Sequence, residues 1–280
     1  MTDPGIPPVP DRWADLRPRM ISAIVMLLVA AVGIWLGGPG FSIMVIVLSA
    51  LMLWELATIT VVKASYGPFG LSPVQRPLML AALGAICLAI ALFSPHALAA
   101  ALLLVPVLAF ALTPGRERPL AALWAAGAMI TGFGLITLRN DAGMVAIVWI
   151  ALVVVTSDVM GYFAGRILGG PKFWPAISPK KTWSGTVAGW VGAALVGAVF
   201  WQMGFAPAGL IVFSTLVSFA GQMGDIAESW IKRRSGVKDS SNLIPGHGGF
   251  LDRFDAMTGA VVLVVLLSLV FSLPLPVGGQ

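Results

Sequence analysis

Charge is scarce in this sequence. Asp, Glu, Lys and Arg make up 10% of its 280 residues, hydrophobic residues make up 58%, and mean hydropathy is +0.95. A soluble domain of this length could not cover its surface with so few charges, which excludes that class. Cysteine is nearly absent as well: Cys87 stands alone inside an apolar run, so neither a disulfide framework nor a zinc site is available. No internal repeat is evident. The first apolar run starts near Met20, after a polar, proline-rich tail, and is expected to be a first span rather than a removable leader. The net charge of +5 is no pointer to nucleic acid, because in so oily a chain the placement of charges matters more than their sum.

What is present is a succession of apolar stretches, each about 17–25 residues, long enough to cross a bilayer. They fall at 20–37, 41–62, 78–94, 96–113, 119–138, 143–165, 184–204, 206–231 and 256–273. The runs are continuous rather than alternating, which predicts helices that satisfy their own backbone in hydrocarbon. The expectation is an all-α, polytopic integral membrane protein with about nine transmembrane helices. Only the SPHA break divides 78–113, and a re-entrant hairpin is the alternative there.

The basic residues test this layout. With the N-terminus inside, inner segments collect Arg12, Arg17, Arg19, Lys63, Arg76, Arg116, Arg118, Arg166, Lys172, Lys180, Lys181, Lys232, Arg233, Arg234, Lys238 and Arg253. Of the 17 Lys and Arg, only Arg139 is left outside. Such a positive-inside bias predicts a cytoplasmic N-terminus and a C-terminus on the far side of the inner membrane. The whole chain, 1–280, reads as a single membrane domain. Residues 1–140 form a helical scaffold whose spans hold one acid, Glu55; residues 141–280 hold the catalytic helices and basic cytoplasmic loops.

Acids inside spans are costly and usually functional. Asp158 lies about 12 Å of helical rise before Arg166. Asp225, Glu228, Ser229 and Lys232 fall near one helical face, and Asp252 and Asp255 stand three apart at the start of the last span. Carboxylates gathered away from water repel one another unless a cation sits between them. Mg²⁺ suits such oxygens, taking one or two carboxylates together with substrate phosphates. The plainer alternative is salt bridging, Asp225 with Lys232 and Asp252 with Arg253 or another arginine.

Basic loops supply the complement. In ISPKKTWSG, Ser178, Lys180, Lys181 and Thr182 precede a helix N-terminus on the inner side, a combination that favours phosphate. The loop 232–255 adds KRR, VKDSS and PGHGG, whose glycines allow close backbone approach to a ligand. Contact with anionic lipid heads accounts for KRR, but not for acids, glycines, serines and His247 mixed into one loop. His247 alone is uninformative. The reading is a metal-dependent site for phosphate at the cytoplasmic surface, open sideways to lipid.

The run Ser229-x-Ile-Lys-Arg-x₄-Lys238-Asp239-x-Ser241-x₂-Ile244-Pro-x-His247-Gly-Gly-Phe-x-Asp252-Arg253-Phe-Asp255 resembles the signature of the phosphatidate cytidylyltransferases, the CDP-diacylglycerol synthases. Asp158-x-x-Gly-Tyr-Phe-Ala-Gly-Arg and Ile-Ser-Pro-Lys-Lys-Thr-Trp-x-Gly agree with it. The likeness covers about residues 156–257. It implies an all-helical fold with a polar cavity open to cytoplasm and bilayer, and the reaction CTP + phosphatidate → CDP-diacylglycerol + diphosphate. It also implies Mg²⁺, with Asp225 and Asp252 as the first ligand candidates and Asp255 and Asp158 after them. A second cation, monovalent or divalent, is left open. Asp225, Ser229, Lys232, Asp252 and Asp255 form the expected catalytic set. Ser178, Lys180, Lys181, Thr182, Lys238, Asp239, His247, Gly248 and Arg253 form the expected substrate-binding set. CTP, phosphatidate and membrane lipids are the expected partners, and a homodimer is left open. Ser184 departs from the motif, where the family commonly carries Glu or another longer polar residue, so it receives no role. A CTP-dependent lipid kinase, a cytidylyltransferase for a different lipid phosphate, a phosphoglycosyl transferase and an ion-coupled transporter are the competing functions.

Overall fold

The computed structural model of the chain describes residues 16–61, 72, 74–115 and 117–278. Arg12, Lys63 and Arg116 of the charge pattern lie outside the described residues, as does the side chain of Arg17. Within them the apolar runs form α1 (Leu16–Leu36), α2 (Gly38–Thr60), α3 (Gln75–Ala91), α4 (His96–Leu112) and α5 (Arg118–Asp141). After these come α6 (Gly143–Ile167), α7 (Trp183–Gln202), α8 (Gly209–Arg234) and α9 (Leu251–Ser268). The stretch 78–113 is two helices, divided where Pro95 takes an extended conformation at the N-cap of α4. Among the described residues, six helices (α1, α2, α5, α6, α7 and α8) are long and apolar enough to cross a membrane; α3 and α4 are apolar but shorter, at 17 residues each. The chain is an integral membrane protein.

One element departs from an all-helical reading. Between α6 and α7 the chain forms a small antiparallel ribbon, β1 (Lys172–Trp174) with β2 (Ser178–Thr182). Phe173 and Trp183 meet edge to face at 4.7 Å, fastening the ribbon to the start of α7.

Two apolar cores hold the helices together. In one, Trp149 of α6 stacks on Phe213 of α8 at 5.8 Å and donates its Nε1–H to Ser214 Oγ at 2.9 Å. In the other, Leu53, Leu88 and Met129 of the N-terminal helices pack with Ile231 of α8 and Leu251 of α9. The N-terminal half therefore grips the ends of the two helices that carry Asp225, Glu228, Asp252 and Asp255. Between helices in lipid the apolar drive is weak, and small residues that let backbones approach become decisive. At the α8–α9 crossing, a Cβ on Gly259 would strike the Ala220 carbonyl, and one on Gly224 the Asp255 carbonyl.

Helix ends also meet in pairs. Arg139 at the end of α5 donates to Ile34 O at the end of α1, at 3.2 and 3.1 Å. Val277 N donates to Phe205 O at 3.0 Å. At opposite helix ends, Val61 bridges Gly115, and Ser22 near the start of α1 donates to Pro245 O at 3.0 Å.

Candidate active site

A cavity of about 540 Å³ opens between α6, α7, α8 and the ribbon. Asp158, Tyr162 and Arg166 enter it from successive turns of one α6 face, as spacings of four residues dictate. Ser178, Lys180 and Lys181 enter from β2, Thr182 and Thr186 from the start of α7, and Gln222 and Asp225 from α8. Thr182 is the N-cap of α7, its Oγ1 accepting from Gly185 N at 3.2 Å. Gly185 packs on the Gly161 carbonyl, which a Cβ would meet at 2.5 Å, so α6 and α7 can close tightly beneath the cavity. Ser184, shorter than its counterpart in the resembled motif, donates to the Gly169 carbonyl and lies 3.0 Å from Thr182 Oγ1. It secures the turn before the ribbon.

The cavity's charges alternate. Lys181 Nζ lies 2.6 Å from Asp225 Oδ2 and donates to Gln222 O at 3.2 Å. Ser229 Oγ lies one turn on, 3.4 Å from Asp225 Oδ1. Asp158, Asp225 and Asp255 are within electrostatic reach of one another, with Lys181 and Arg253 acting on Asp158 and Lys232 on Asp255. The Asp255 Oδ1 accepts from its own chain at Ala256 N, 2.7 Å away.

Beside the cavity is a second polar knot. Lys232 Nζ sits between Glu228 Oε2 at 2.6 Å and Asp252 Oδ1 at 2.5 Å. Asp252 Oδ2 accepts from Ser240 N at 2.9 Å, Ser240 Oγ at 2.8 Å and Gly249 N at 2.8 Å. Gly248 turns here with φ of 84°, in the left-handed region, and a Cβ would meet Asp252 Oδ2 at 2.8 Å. The ion pairs thus differ from the simple alternative drawn from sequence: Asp225 takes Lys181, and Asp252 takes Lys232.

The expected residues divide accordingly. Asp158, Ser178, Lys180, Lys181, Thr182 and Asp225 share the cavity wall, with Ser229 bonded to Asp225. Lys232 and Asp252 belong to the adjoining knot, and Asp255 is within electrostatic reach of both groups. Lys238 and Asp239 are exposed on the loop 235–250, and Arg253 is exposed on the first turn of α9. His247 turns towards α1, with Nδ1 2.8 Å from Ser22 Oγ.

Other residues of the site were not anticipated. Tyr162 and Arg166 are joined by a 2.9 Å hydrogen bond, and their i, i+4, i+8 spacing from Asp158 is a signal the sequence does contain. Gln222, three residues before Asp225, orders the floor: its amide donates to Thr186 O at 3.2 Å and accepts from Trp190 Nε1 at 3.0 Å. Glu55 of α2 is fully buried and accepts from Ser240 Oγ, Ser241 Oγ, Phe250 N and Leu251 N at 3.1, 2.6, 3.0 and 2.6 Å.

Among the described residues no group of three or more His, Cys, Asp or Glu is gathered closely enough to hold a metal by itself. Mg²⁺ does not need one, since it keeps waters and shares substrate phosphates. Asp158 and Asp225 both line the phosphate-suited cavity, and a pair of carboxylates there fits a divalent ion that shares the oxygens of an anionic substrate.

The sequence profile of the "Cytidylyltransferase family" matches residues 17–271. The chain belongs to the cytidylyltransferase family. It is therefore an enzyme of the nucleotidyltransferase class. A relative in Brucella abortus (strain 2308), named phosphatidate cytidylyltransferase, is 36% identical over 269 residues, 93% of this chain and 96% of that protein. Proteins of the same name in Helicobacter pylori (strain J99) and Bacillus subtilis (strain 168) are 45% and 38% identical over 139 and 142 residues. Those matches cover 48% and 49% of this chain, and 52% and 53% of the relatives. As a cytidylyltransferase the molecule must hold a nucleoside triphosphate, and the alternating charges of its cavity suit that anion.

Proposed function

We propose that this cytidylyltransferase is a CDP-diacylglycerol synthase, transferring the cytidylyl group of CTP to phosphatidate. The observation that carries the reading is the cavity itself. Lys180, Lys181 and Arg166 provide cations, Ser178 and Thr182 provide hydroxyls, and the α7 N-terminus provides a favourable dipole, all facing Asp158 and Asp225. Phosphatidate is a phosphate monoester with a second pKa of about 6, so at neutral pH it is mostly dianionic and needs no strong base. The obstacle is repulsion between two anions, and positioning with charge neutralisation overcomes it, as in phosphoryl transfer generally.

A phosphatidate oxygen attacks the α-phosphorus of CTP. The new P–O bond forms as the bond to the α–β bridging oxygen breaks, and diphosphate leaves with that oxygen and its electron pair. Lys180 and Lys181 hold the triphosphate and the departing diphosphate. Lys232 is occupied by Glu228 and Asp252, so its part is to keep Asp252 in place beside the cavity. Asp225 and Asp158, with Asp255 within electrostatic reach of both, would hold Mg²⁺, which when bound neutralises charge building on the phosphate oxygens.

The orientation read from the basic residues, with nine spans and a cytoplasmic N-terminus, puts this cavity at the inner face. Contacts between helix ends support it: Arg139 with Ile34, and Val277 with Phe205, pair segments assigned to the outer side. Val61 with Gly115, and Ser22 with Pro245, pair segments assigned to the inner side. The test is an assay of the purified chain in detergent with CTP, dioleoyl phosphatidate and Mg²⁺. CDP-diacylglycerol and diphosphate should appear in equal amounts; lipid product without diphosphate would overturn the reaction.

A further inference from the structure

We propose that Glu55 is a positioning residue for cytidylyl transfer, a carboxylate from the N-terminal scaffold that caps α9 and fixes the loop 235–250, and thereby holds Asp252 and Lys232 in register. The proposal rests on the reaction assigned above.

A carboxylate buried inside a membrane helix is tolerated only where donors compensate it. All four donors to Glu55 come from one short part of the chain, 185 to 196 residues away in sequence. Two of them are main-chain N–H groups at the start of α9. Phe250, the N-cap of that helix, makes no side-chain cap bond, so its own sequence leaves the first N–H groups open. Phe250 N points to Oε1 and Leu251 N to Oε2, so the acid supplies the cap from another helix.

Glu55 and Asp252 then hold the same loop from two sides. The Ser240 hydroxyl lies within hydrogen-bond distance of both acids, 2.8 Å from Asp252 Oδ2 and 3.1 Å from Glu55 Oε2. Gly249 gives its N–H to Asp252, and a Cβ there would meet Glu55 Oε1 at 2.5 Å. Asp252 in turn fixes Lys232 and, through it, Glu228. Glu55 itself is not part of the cavity wall, and its oxygens are taken up by the loop and by α9. It acts through other residues.

The variant E55Q isolates this role because it keeps length and shape. Each carboxylate oxygen faces a main-chain donor, so whichever way the amide is turned, its NH₂ opposes one of them. The loop and the first turn of α9 should then shift without emptying the cavity of its cations. Misplacement of about 1 Å can cost about 10²-fold in rate.

The experiment compares the full-length chain with E55Q in detergent, measuring kcat, the KM for CTP and the thermal unfolding midpoint. The expected result is a kcat lower by about 10–100-fold, with the KM for CTP changed less than about threefold, because Lys180 and Lys181 are untouched. A kcat within about twofold of the parent would overturn the proposal, as would a kcat that falls only in proportion to the loss of folded protein. If E55Q does not fold, S241A removes a single donor and is read in the same way: lowered kcat at unchanged KM supports the role, and an unchanged kcat overturns it. A parent chain that makes no CDP-diacylglycerol would overturn the assigned reaction, and this proposal with it, a result distinct from an active parent beside an unaffected E55Q.

Discussion

Lys181 of β2 and Asp225 of α8 form a 2.6 Å ion pair that joins the ribbon to the acid-bearing helix. Their side chains remain 23% and 33% exposed, and a pair so open to water contributes little to stability. Its value, on the proposed mechanism, lies in placing a cation and a carboxylate side by side where triphosphate and metal would meet. K181M should therefore change the unfolding free energy by no more than about 1 kcal/mol, leaving the midpoint nearly unchanged. Turnover of CTP should fall by about 10²-fold, as when one preorganised charge is removed from a reaction centre. Steady-state kinetics and thermal unfolding on one preparation check both halves of this expectation.

Lys232 should behave in the opposite way. Its side chain is 12% exposed and stands between fully buried Glu228 and nearly buried Asp252. K232M would leave buried acids without their counter-charge, a change that costs about 3–5 kcal/mol. E228Q, which keeps the Lys232–Asp252 pair, should cost less. The unfolding midpoints of the two variants in one detergent give the order directly.

Asp225 is the acid that both lines the cavity and contacts Lys181 and Ser229. D225N should lower turnover at least about 10²–10³-fold. Chelation should abolish activity in the parent chain, and added Mg²⁺ should restore it. A titration of rate against Mg²⁺ should show a higher half-maximal Mg²⁺ concentration in D225N, whereas K181M should retain the parent's.

Gly259 is where α9 rests on α8, against the Ala220 carbonyl. G259A should force the helices apart, at a cost of about 1–3 kcal/mol, the usual range for overpacking. The same movement separates Asp225 from Asp255, so activity should fall along with the unfolding midpoint. Equal activity and stability in G259A would mean that the two helices tolerate a wider crossing.

Much of this architecture is legible in the sequence, because a run of apolar residues long enough to cross a bilayer leaves helix as the simplest structure. Even the break at Ser94 and Pro95 separates α3 from α4 where the residues indicate. The ribbon 172–182 was not legible: its strands are three and five residues long and carry no alternating apolar pattern. Within the site, Asp158, Lys181 and Asp225 stand out as charges in or next to spans. Glu55 stands out too, but its partners lie almost two hundred residues away and are mainly backbone groups and serines, which no local spacing can identify. For the same reason the sequence does not reveal that Asp252 is held by Ser240 and Gly249, or that His247 turns to Ser22 of α1.

The most direct measurement follows the phosphorus. Purified chain is given phosphatidate and Mg²⁺ with CTP labelled at either the α- or the γ-phosphate, and the lipid fraction is counted. The account predicts that α-label enters the lipid as CDP-diacylglycerol while γ-label stays in water as diphosphate. Transfer of γ-label to lipid, with CDP released, would contradict it.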